Sequence, residues 1–294
     1  MKESNKKQGG IISPTEMKSP SVKVIYGLMV LFLIILVIIC IFPSLWVIMS
    51  SLKNVDEIYA IPPTIFPKNV TFDNIKEVWQ KYKFVQYYIN TLIVTVGMIA
   101  FSILSNGLAG YVIAKLKPIG YKKIQNLIFA SMMIPMSLSI VPVYRNITNF
   151  PIFGFSMINT YWPMIIMAGA NAFMVMVYIN FFRGIPTSLI EAARLDGCGE
   201  MRCFVNVVLP LSKPIIFTAI ILGFNTAWGD FFWPYLVLKD KSVYTVMVEV
   251  YNLRNIAMDT RMAILAFTIV PPIILFCFFS KYIMNGFTMS GIKG

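Results

Sequence analysis

Hydrophobic and polar positions alternate along this chain on a long period. Uncharged runs of twenty residues or more are separated by short segments rich in Lys, Asn, Pro and Gly. Val24 to Leu52 is the first run, from the residue after Lys23 to the one before Lys53. Phe84 to Ala114 is the second and holds Asn90 and Asn106; Ile124 to Tyr144 is the third, with Pro135 and Pro142 inside it. Asn146 to Phe182 is uncharged throughout but too long for one crossing. Its Asn-, Pro- and Gly-rich first part reads as a loop, which leaves about Thr160 to Phe182 as the fourth helix. The fifth runs from about Leu211 to Leu236 with one acid, Asp230, and the sixth from Met262 to about Ile283 with Pro271 and Pro272 inside. A bilayer crossing takes about 20 apolar residues, and a soluble core helix rarely stays uncharged so long. The pattern predicts an all-α polytopic membrane protein with six transmembrane helices. The first run exceeds the roughly 7–15 apolar residues of a signal peptide, so it is expected to remain as a helix.

Composition agrees. Of 294 residues, 57% are hydrophobic and only 13% charged, where a soluble domain carries about 25% charged residues. The net charge of +12 falls mainly on one side of the predicted membrane. With the N-terminus inside, the cytoplasmic cations are Lys2, Lys6, Lys7, Lys18 and Lys23; Lys115, Lys117, Lys122 and Lys123; Arg183, Arg194, Arg202 and Lys213; and Lys281 and Lys293. These are 15 of the 25 Lys and Arg residues. That bias places both termini in the cytoplasm and accounts for the positive charge without nucleic acid.

The chemistry left open is narrow. The chain has no His, which excludes His-ligated metal sites and Ser-His or Cys-His nucleophiles. Cys40 and Cys277 sit in apolar runs, and Cys198 and Cys203 lack the paired spacing of a zinc module. No catalytic residue, metal ligand or cofactor is expected. The chain also lacks the G-x-x-x-x-G-K-[ST] phosphate loop, so active transport requires ATP hydrolysis in a separate subunit or an ion gradient. A gradient-driven secondary transporter of small polar solutes is the alternative, although such proteins commonly bury several ionisable groups at mid-membrane. Here Asp230 is the one acid inside a predicted span. It lies 17 residues beyond Lys213, roughly 25 Å along a helix, near the outer interface.

Two loops stand out. The outer loop from Lys53 to Lys83 contains an amphipathic stretch, Phe72 to Tyr82, with Ile75, Val78 and Trp79 at helical spacing. It fits a short helix on the membrane surface or against the bundle, or a docking surface for an outside partner. The cytoplasmic loop from Arg183 to Lys213 is patterned throughout. Ser188 and Glu191 have the spacing of a capping box, Leu189 to Leu195 follow as a short helix, and Gly197 and Gly199 are helix-stop residues. A second short helix is expected from about Glu200 to Val208, ending at Pro210. This helical pair reads either as an amphipathic linker or as a helix offered to a groove on another protein.

The same residues resemble a known signature. Glu191-Ala192-Ala193, Asp196-Gly197, Phe204, Leu209-Pro210-Leu211 and Pro214 are similar to the EAA loop of ABC importer permeases. Trp228-Gly229-Asp230-Phe231-Phe232-Trp233-Pro234 is similar to the fifth-helix segment of carbohydrate permeases of the maltose-transporter type. Gly286 to Gly294 resembles the C-terminus of the same subunit. Cys198 stands where Ala is usual and Gly229 where Asn is common.

The resemblance implies a type I ABC importer permease fold and a division of the chain. Residues 1–23 form a cytoplasmic tail, and 24–86 the first transmembrane helix and outer loop. Residues 87–285 form a core of five transmembrane helices containing the coupling loop 183–213, and 286–294 a cytoplasmic tail. It further implies a multi-pass protein of a bacterial or archaeal cytoplasmic membrane, itself no enzyme. Its expected partners are a second homologous permease, cytoplasmic ATP-binding subunits, an extracytoplasmic sugar-binding protein and membrane lipid. Glu191, Ala192, Ala193, Asp196, Gly197 and Pro210 would couple to the ATPase, and Gly291, Lys293 and Gly294 would contact it from the tail. For Trp228, Asp230, Phe231 and Trp233 two readings stand. They line a sugar pathway, with aromatic faces on the sugar ring and Asp230 accepting from hydroxyls, or they form the aromatic belt at the headgroups. Prolines within spans, Pro135, Pro214, Pro271 and Pro272, read as static kinks. Asn106 with Gly107 and Gly110 reads as close helix packing.

Overall fold

The computed structural model describes residues 19–151, 153–253 and 255–290, with side chains to Phe279. The described residues are helical, with no strand among them. Three helices are long and apolar enough to cross a membrane unaided: Pro20–Ser50, Phe84–Leu116 and Met258–Phe279, the last continuing as backbone helix to Ser290. Three further apolar stretches are helix pairs bent at a short break. Tyr121–Ser131 meets Met136–Thr148 at 96°, Trp162–Gly169 meets Ala172–Arg183 at 42°, and Glu200–Leu211 meets Lys213–Gly229 at 84°.

The bends follow from local chemistry. Pro135 has no N–H to give a helical ladder, and the chain turns over through Met132, Met133 and Ile134, whose amides reach back only three residues. Pro142 falls in the first turn of Ile140–Thr148, where the missing donor costs nothing. Pro214 likewise lies in the first turn of Lys213–Gly229. It therefore starts that helix instead of kinking it, and the bend sits before it at Ser212. Pro271 and Pro272 lie within one continuous helix. The fifth run ends as a helix at Gly229, earlier than the sequence pattern suggests, and resumes as the short helix Phe232–Val237.

The chain divides into two compact units. In the first, whose described residues are 19–75 and 258–266, the Pro20–Ser50 helix exposes its apolar side chains almost continuously from Val24 to Phe42. Its 31 residues rise roughly 45 Å at 1.5 Å each, more than a hydrocarbon core of about 30 Å. The segment after it is tied by polar contacts. Lys53 is buried, its ammonium over the Trp46 ring at 4.7 Å and bonded to the Thr64 carbonyl. Asn74 Nδ2 donates to the Lys53 carbonyl at 2.8 Å, and Glu57 accepts from Thr64 Oγ1 and the Lys68 amide.

In the second unit, whose described residues fall within 76–257 and 267–290, the Phe84–Tyr111 helix is central. It packs against Trp162–Gly169, Ala172–Arg183 and Lys213–Gly229. Small residues let the backbones approach: a Cβ on Gly110 would stand 2.6 Å from Tyr178 Cβ, the close packing its sequence suggests. Asn106 fastens the broken fourth stretch. Its Nδ2 donates to the Ala168 carbonyl at 2.9 Å and its Oδ1 accepts from the Asn171 amide at 3.1 Å, one bond on each side of the break. Those two backbone groups would otherwise be unsatisfied in an apolar interior.

Candidate functional site: the loop helix after Arg183

The segment following Ala172–Arg183 leaves the bundle and returns through Lys213. Its first element is the helix Thr187–Leu195. The expected capping box does not form. Pro186, with φ −58° and ψ 128°, occupies the N-cap, so Ser188 lies inside the helix and caps nothing. The fixed proline φ starts the helix two residues earlier than the Ser188 spacing would.

The other end behaves as the sequence indicates. Gly197 adopts φ +81°, its amide donates to the Arg194 carbonyl at 3.0 Å, and the Cys198 amide donates to the Ala193 carbonyl at 3.0 Å. This pair of bonds is a Schellman cap, which needs a left-handed residue at the glycine position. After Gly199 the chain runs helically from Glu200 to Leu211, with a wide π-type turn over Phe204–Val208. Pro210 lies one residue from its end, where the chain then bends by 84°.

The loop is rooted at one face and open at the other. Ile190 is 1% exposed and packs into a cluster with Tyr178, Phe182, Ile185, Phe204 and Val208. Leu195, in contrast, is 90% exposed and Met201 60%. Glu191, Ala192, Asp196 and Gly197 are exposed, and Ala193 half-buried. The helix thus offers a narrow, partly apolar surface while its opposite side is held by the bundle. Gly291, Lys293 and Gly294 lie outside the described residues.

A polar network secures the root. The buried Tyr111, at the end of the Phe84–Tyr111 helix, donates its hydroxyl to Glu200 Oε2 at 3.0 Å. Arg194 Nε meets Glu200 Oε1 at 2.8 Å and its Nη2 reaches Oε2 at 3.2 Å, a two-pronged guanidinium–carboxylate pair. The Arg194 hydrogen bonds hold the Glu200 carboxyl below the ordinary carboxylate range, with Tyr111 adding to the effect against partial desolvation. Lys115 donates to the Ile185 carbonyl, and Arg183 Nη2 to Gln125 Oε1 at 2.6 Å. The sequence pattern does not reveal Tyr111 and Glu200 as partners. The one available hint is a hydroxyl at the charged end of an apolar run.

The four residues near the fifth helix are not gathered into one site. Trp228 is buried, donates Nε1–H to the Thr268 carbonyl at 3.1 Å, and stacks on Phe224 and Tyr88. It borders an apolar groove of about 460 Å³ together with Tyr88, Leu92 and Pro271. Asp230 Oδ1 accepts from the Trp233 amide at 3.3 Å, which ties the turn between two helices. Phe231 packs on Tyr235 and Tyr251, while Trp233 packs toward the Val94, Met98 and Ile147 cluster. Among the described residues no group of His, Cys, Asp and Glu is placed to hold a metal ion.

Comparison with known proteins places this arrangement. A family profile described as binding-protein-dependent transport system inner membrane component matches residues 106–288, which include the whole loop. The chain is 27% identical over 282 residues to the arabinooligosaccharides transport system permease AraQ of Bacillus subtilis, covering 94% of this chain and 99% of that one. It is 31% identical over 239 residues to the melibiose/raffinose/stachyose import permease MelC of Bacillus subtilis, covering 78% and 84%. It is 30% identical over 258 residues to the diacetylchitobiose uptake system permease NgcG of Streptomyces coelicolor, covering 85% and 83%. The fold matches a chain of a bacterial ABC transporter involved in import of the acidic polysaccharide alginate, with a TM-score of 0.81 at 21% identity, covering 90% of this chain and 98% of that one. The chain belongs to the binding-protein-dependent transport system inner membrane components: it is a multi-pass membrane permease subunit of an ABC transporter, a transport component and not an enzyme.

Proposed function

We propose that this chain is one of two homologous permeases that enclose the pathway of an ATP-driven, binding-protein-dependent sugar importer. In this reading it crosses a bacterial or archaeal cytoplasmic membrane six times, the fifth crossing beginning at Lys213 after the cytoplasmic loop, with both termini in the cytoplasm. The Thr187–Leu195 helix enters a groove on a separate ATPase subunit. An extracytoplasmic sugar-binding protein delivers the substrate. The sugar assignment is supported by relatives named for oligosaccharide uptake.

The observation that carries the coupling role is the contrast within one short segment. Leu195 is almost fully exposed at the tip while Ile190, Arg194 and Glu200 are tied into the bundle. An apolar knob left to water costs free energy, and a partner groove removes that cost. Because its base is rigid, a push on the tip is transmitted to Tyr111 and so to the second span. Two packed bodies linked by such a lever switch between discrete arrangements. The tail residues Gly291, Lys293 and Gly294 are assigned to the same ATPase. Trp228, beside Tyr88 on its groove, is the aromatic face proposed for the pathway, and Phe231 and Trp233 frame the turn that Asp230 holds.

The test is sugar uptake into cells expressing the full transporter. ATP depletion is expected to abolish uptake, while an uncoupler used at preserved ATP leaves it intact. Uptake that collapses with the uncoupler and survives ATP depletion would establish a gradient-driven carrier instead.

A further inference from the structure

At the end of the Phe84–Tyr111 helix remote from the loop lies a polar pocket that the coupling machinery does not use. It encloses about 340 Å³ and is lined by Lys81, Lys83, Tyr87, Lys241 and Glu249 among others. Its walls are fixed. Gln86 Nε2 and Asn90 Nδ2 both donate to the Ser242 carbonyl, at 2.7 and 2.8 Å, and Asn90 also to the Tyr244 carbonyl at 2.9 Å. Thr91 Oγ1 accepts from the Val246 amide at 3.0 Å, which pins the short helix Val246–Asn252.

Glu249 sits on that helix, 2% exposed, and its Oε2 has no hydrogen-bond partner. The Tyr87 hydroxyl already serves this carboxyl, and a buried carboxylate oxygen without a donor is costly, so Oε2 is the acceptor position in the pocket still open to a ligand hydroxyl. Around it stand three lysines. Lys81 also meets Glu77 at 3.5 Å, an exposed pair of the kind that contributes little. The pocket is therefore cationic at the rim with one acceptor inside. The group that fits carries a negative charge and a hydroxyl donor a few atoms apart. Lys83 immediately precedes the span that begins at Phe84, which puts the rim at the level of lipid headgroups.

We propose that this pocket binds a glycerophosphate group, its phosphate on Lys83 and Lys241 and a glycerol hydroxyl on Glu249. Two sources supply that chemistry: the headgroup of phosphatidylglycerol and free glycerol phosphate. The inference needs only a membrane protein, and does not depend on what the transporter carries.

The assembled transporter is reconstituted in phosphatidylcholine vesicles doped with either phosphatidylglycerol or phosphatidylethanol, which has the same charge and no hydroxyl. Lipid retained on the purified complex is counted by native mass spectrometry. The intact protein is expected to retain phosphatidylglycerol over phosphatidylethanol, and both over phosphatidylcholine. Lys83→Gln and Lys241→Gln, both surface changes, are each expected to lower anionic-lipid retention about fivefold. Glu249→Leu is expected to erase the difference between the two anionic lipids while keeping their lead over phosphatidylcholine. Displacement of retained lipid by millimolar sn-glycerol 3-phosphate marks the free compound as an occupant, and no displacement marks the lipid. Equal retention of all three lipids by the intact protein overturns the proposal. Equal retention of phosphatidylglycerol and phosphatidylethanol overturns the role of Glu249.

Discussion

The Tyr111 hydroxyl donates to Glu200 Oε2 at 3.0 Å, joining the end of the central helix to a loop residue 89 positions later. Tyr111 also packs its ring on Phe204, centroids 5.4 Å apart. Tyr111→Phe removes the hydroxyl and keeps the ring. A hydrogen bond to a charged group contributes about 1.5–3 kcal/mol, and Arg194 still pairs Glu200 in the variant. Transport is expected to fall several-fold while ATP hydrolysis by the assembled complex persists. Parallel uptake and ATPase assays on proteoliposomes check this, and equal loss of both would instead indicate failed assembly.

Gly197 provides a graded test of the loop's C-terminal cap. With φ +81° and open space where a Cβ would lie, its requirement is conformational and not steric. A left-handed conformation costs an ordinary residue roughly 1–2 kcal/mol, and Asn tolerates it best. Uptake is expected to decline in the order Gly, Asn, Ala, Val, with membrane insertion unchanged. A Val variant as active as the Asn variant would show that the cap does not matter.

The helix contacts at Gly107 and Gly110 make opposite forecasts for the same change. Gly110→Ala sets its new Cβ 2.6 Å from Tyr178 Cβ and 3.3 Å from the Ile179 backbone, so the helices must part. A loss of about 1–3 kcal/mol is expected. Gly107→Ala meets only the Phe204 ring tip at 3.4 Å and is expected to be near neutral. Thermal unfolding of the two detergent-solubilised variants compares them directly.

Asp230 separates charge from capping. Asp230→Asn keeps an oxygen for the Trp233 amide, whereas Asp230→Ala removes it, a cost of about 1 kcal/mol typical of a lost cap. If holding the turn is its main contribution, the Asn variant transports near the normal rate and the Ala variant does not. Equal impairment of both in the uptake assay would return Asp230 to direct substrate contact.

The pH response of the loop follows from Glu200, whose folded carboxyl is held below its ordinary value by Arg194. A lowered carboxylate pKa contributes stability that is complete above the unfolded value, about 4.3, and is lost as pH falls through the folded one. Protease accessibility of the loop is thus expected to be flat from about pH 8 to 5 and to rise below the ordinary carboxylate range. In Arg194→Gln the loop is expected to be more accessible already at neutral pH, and the further rise on acidification to be smaller, because less of the stability then depends on the Glu200 charge.

Much of this architecture is legible in the uncharged runs, because a lipid-facing helix records its environment in composition. Phe84–Leu116 and Pro20–Ser50 lie within a few residues of the apolar runs that mark them. Direction is not recorded in that way: hydropathy is blind to the 96° turn at Pro135 and the 84° turn at Ser212. Gly197 is visible as a stop because left-handed backbone has a residue preference. The Ser188 and Glu191 spacing misleads because Pro186 already starts the helix. Tyr111 and Glu200, and Asn106 with Ala168 and Asn171, meet only through tertiary packing, so no local pattern announces them.

The lever assignment is tested most directly by a photo-activated cross-linker at Ala192 in membranes where the transporter is importing sugar. Ala192 is exposed beside Leu195 and near the rooted Ile190, so the probe leaves the anchoring contacts intact. The expected product is a covalent adduct with a nucleotide-binding subunit, its yield changing when ATP is replaced by a non-hydrolysable analogue. Adducts with lipid alone, in membranes that still transport, would contradict it.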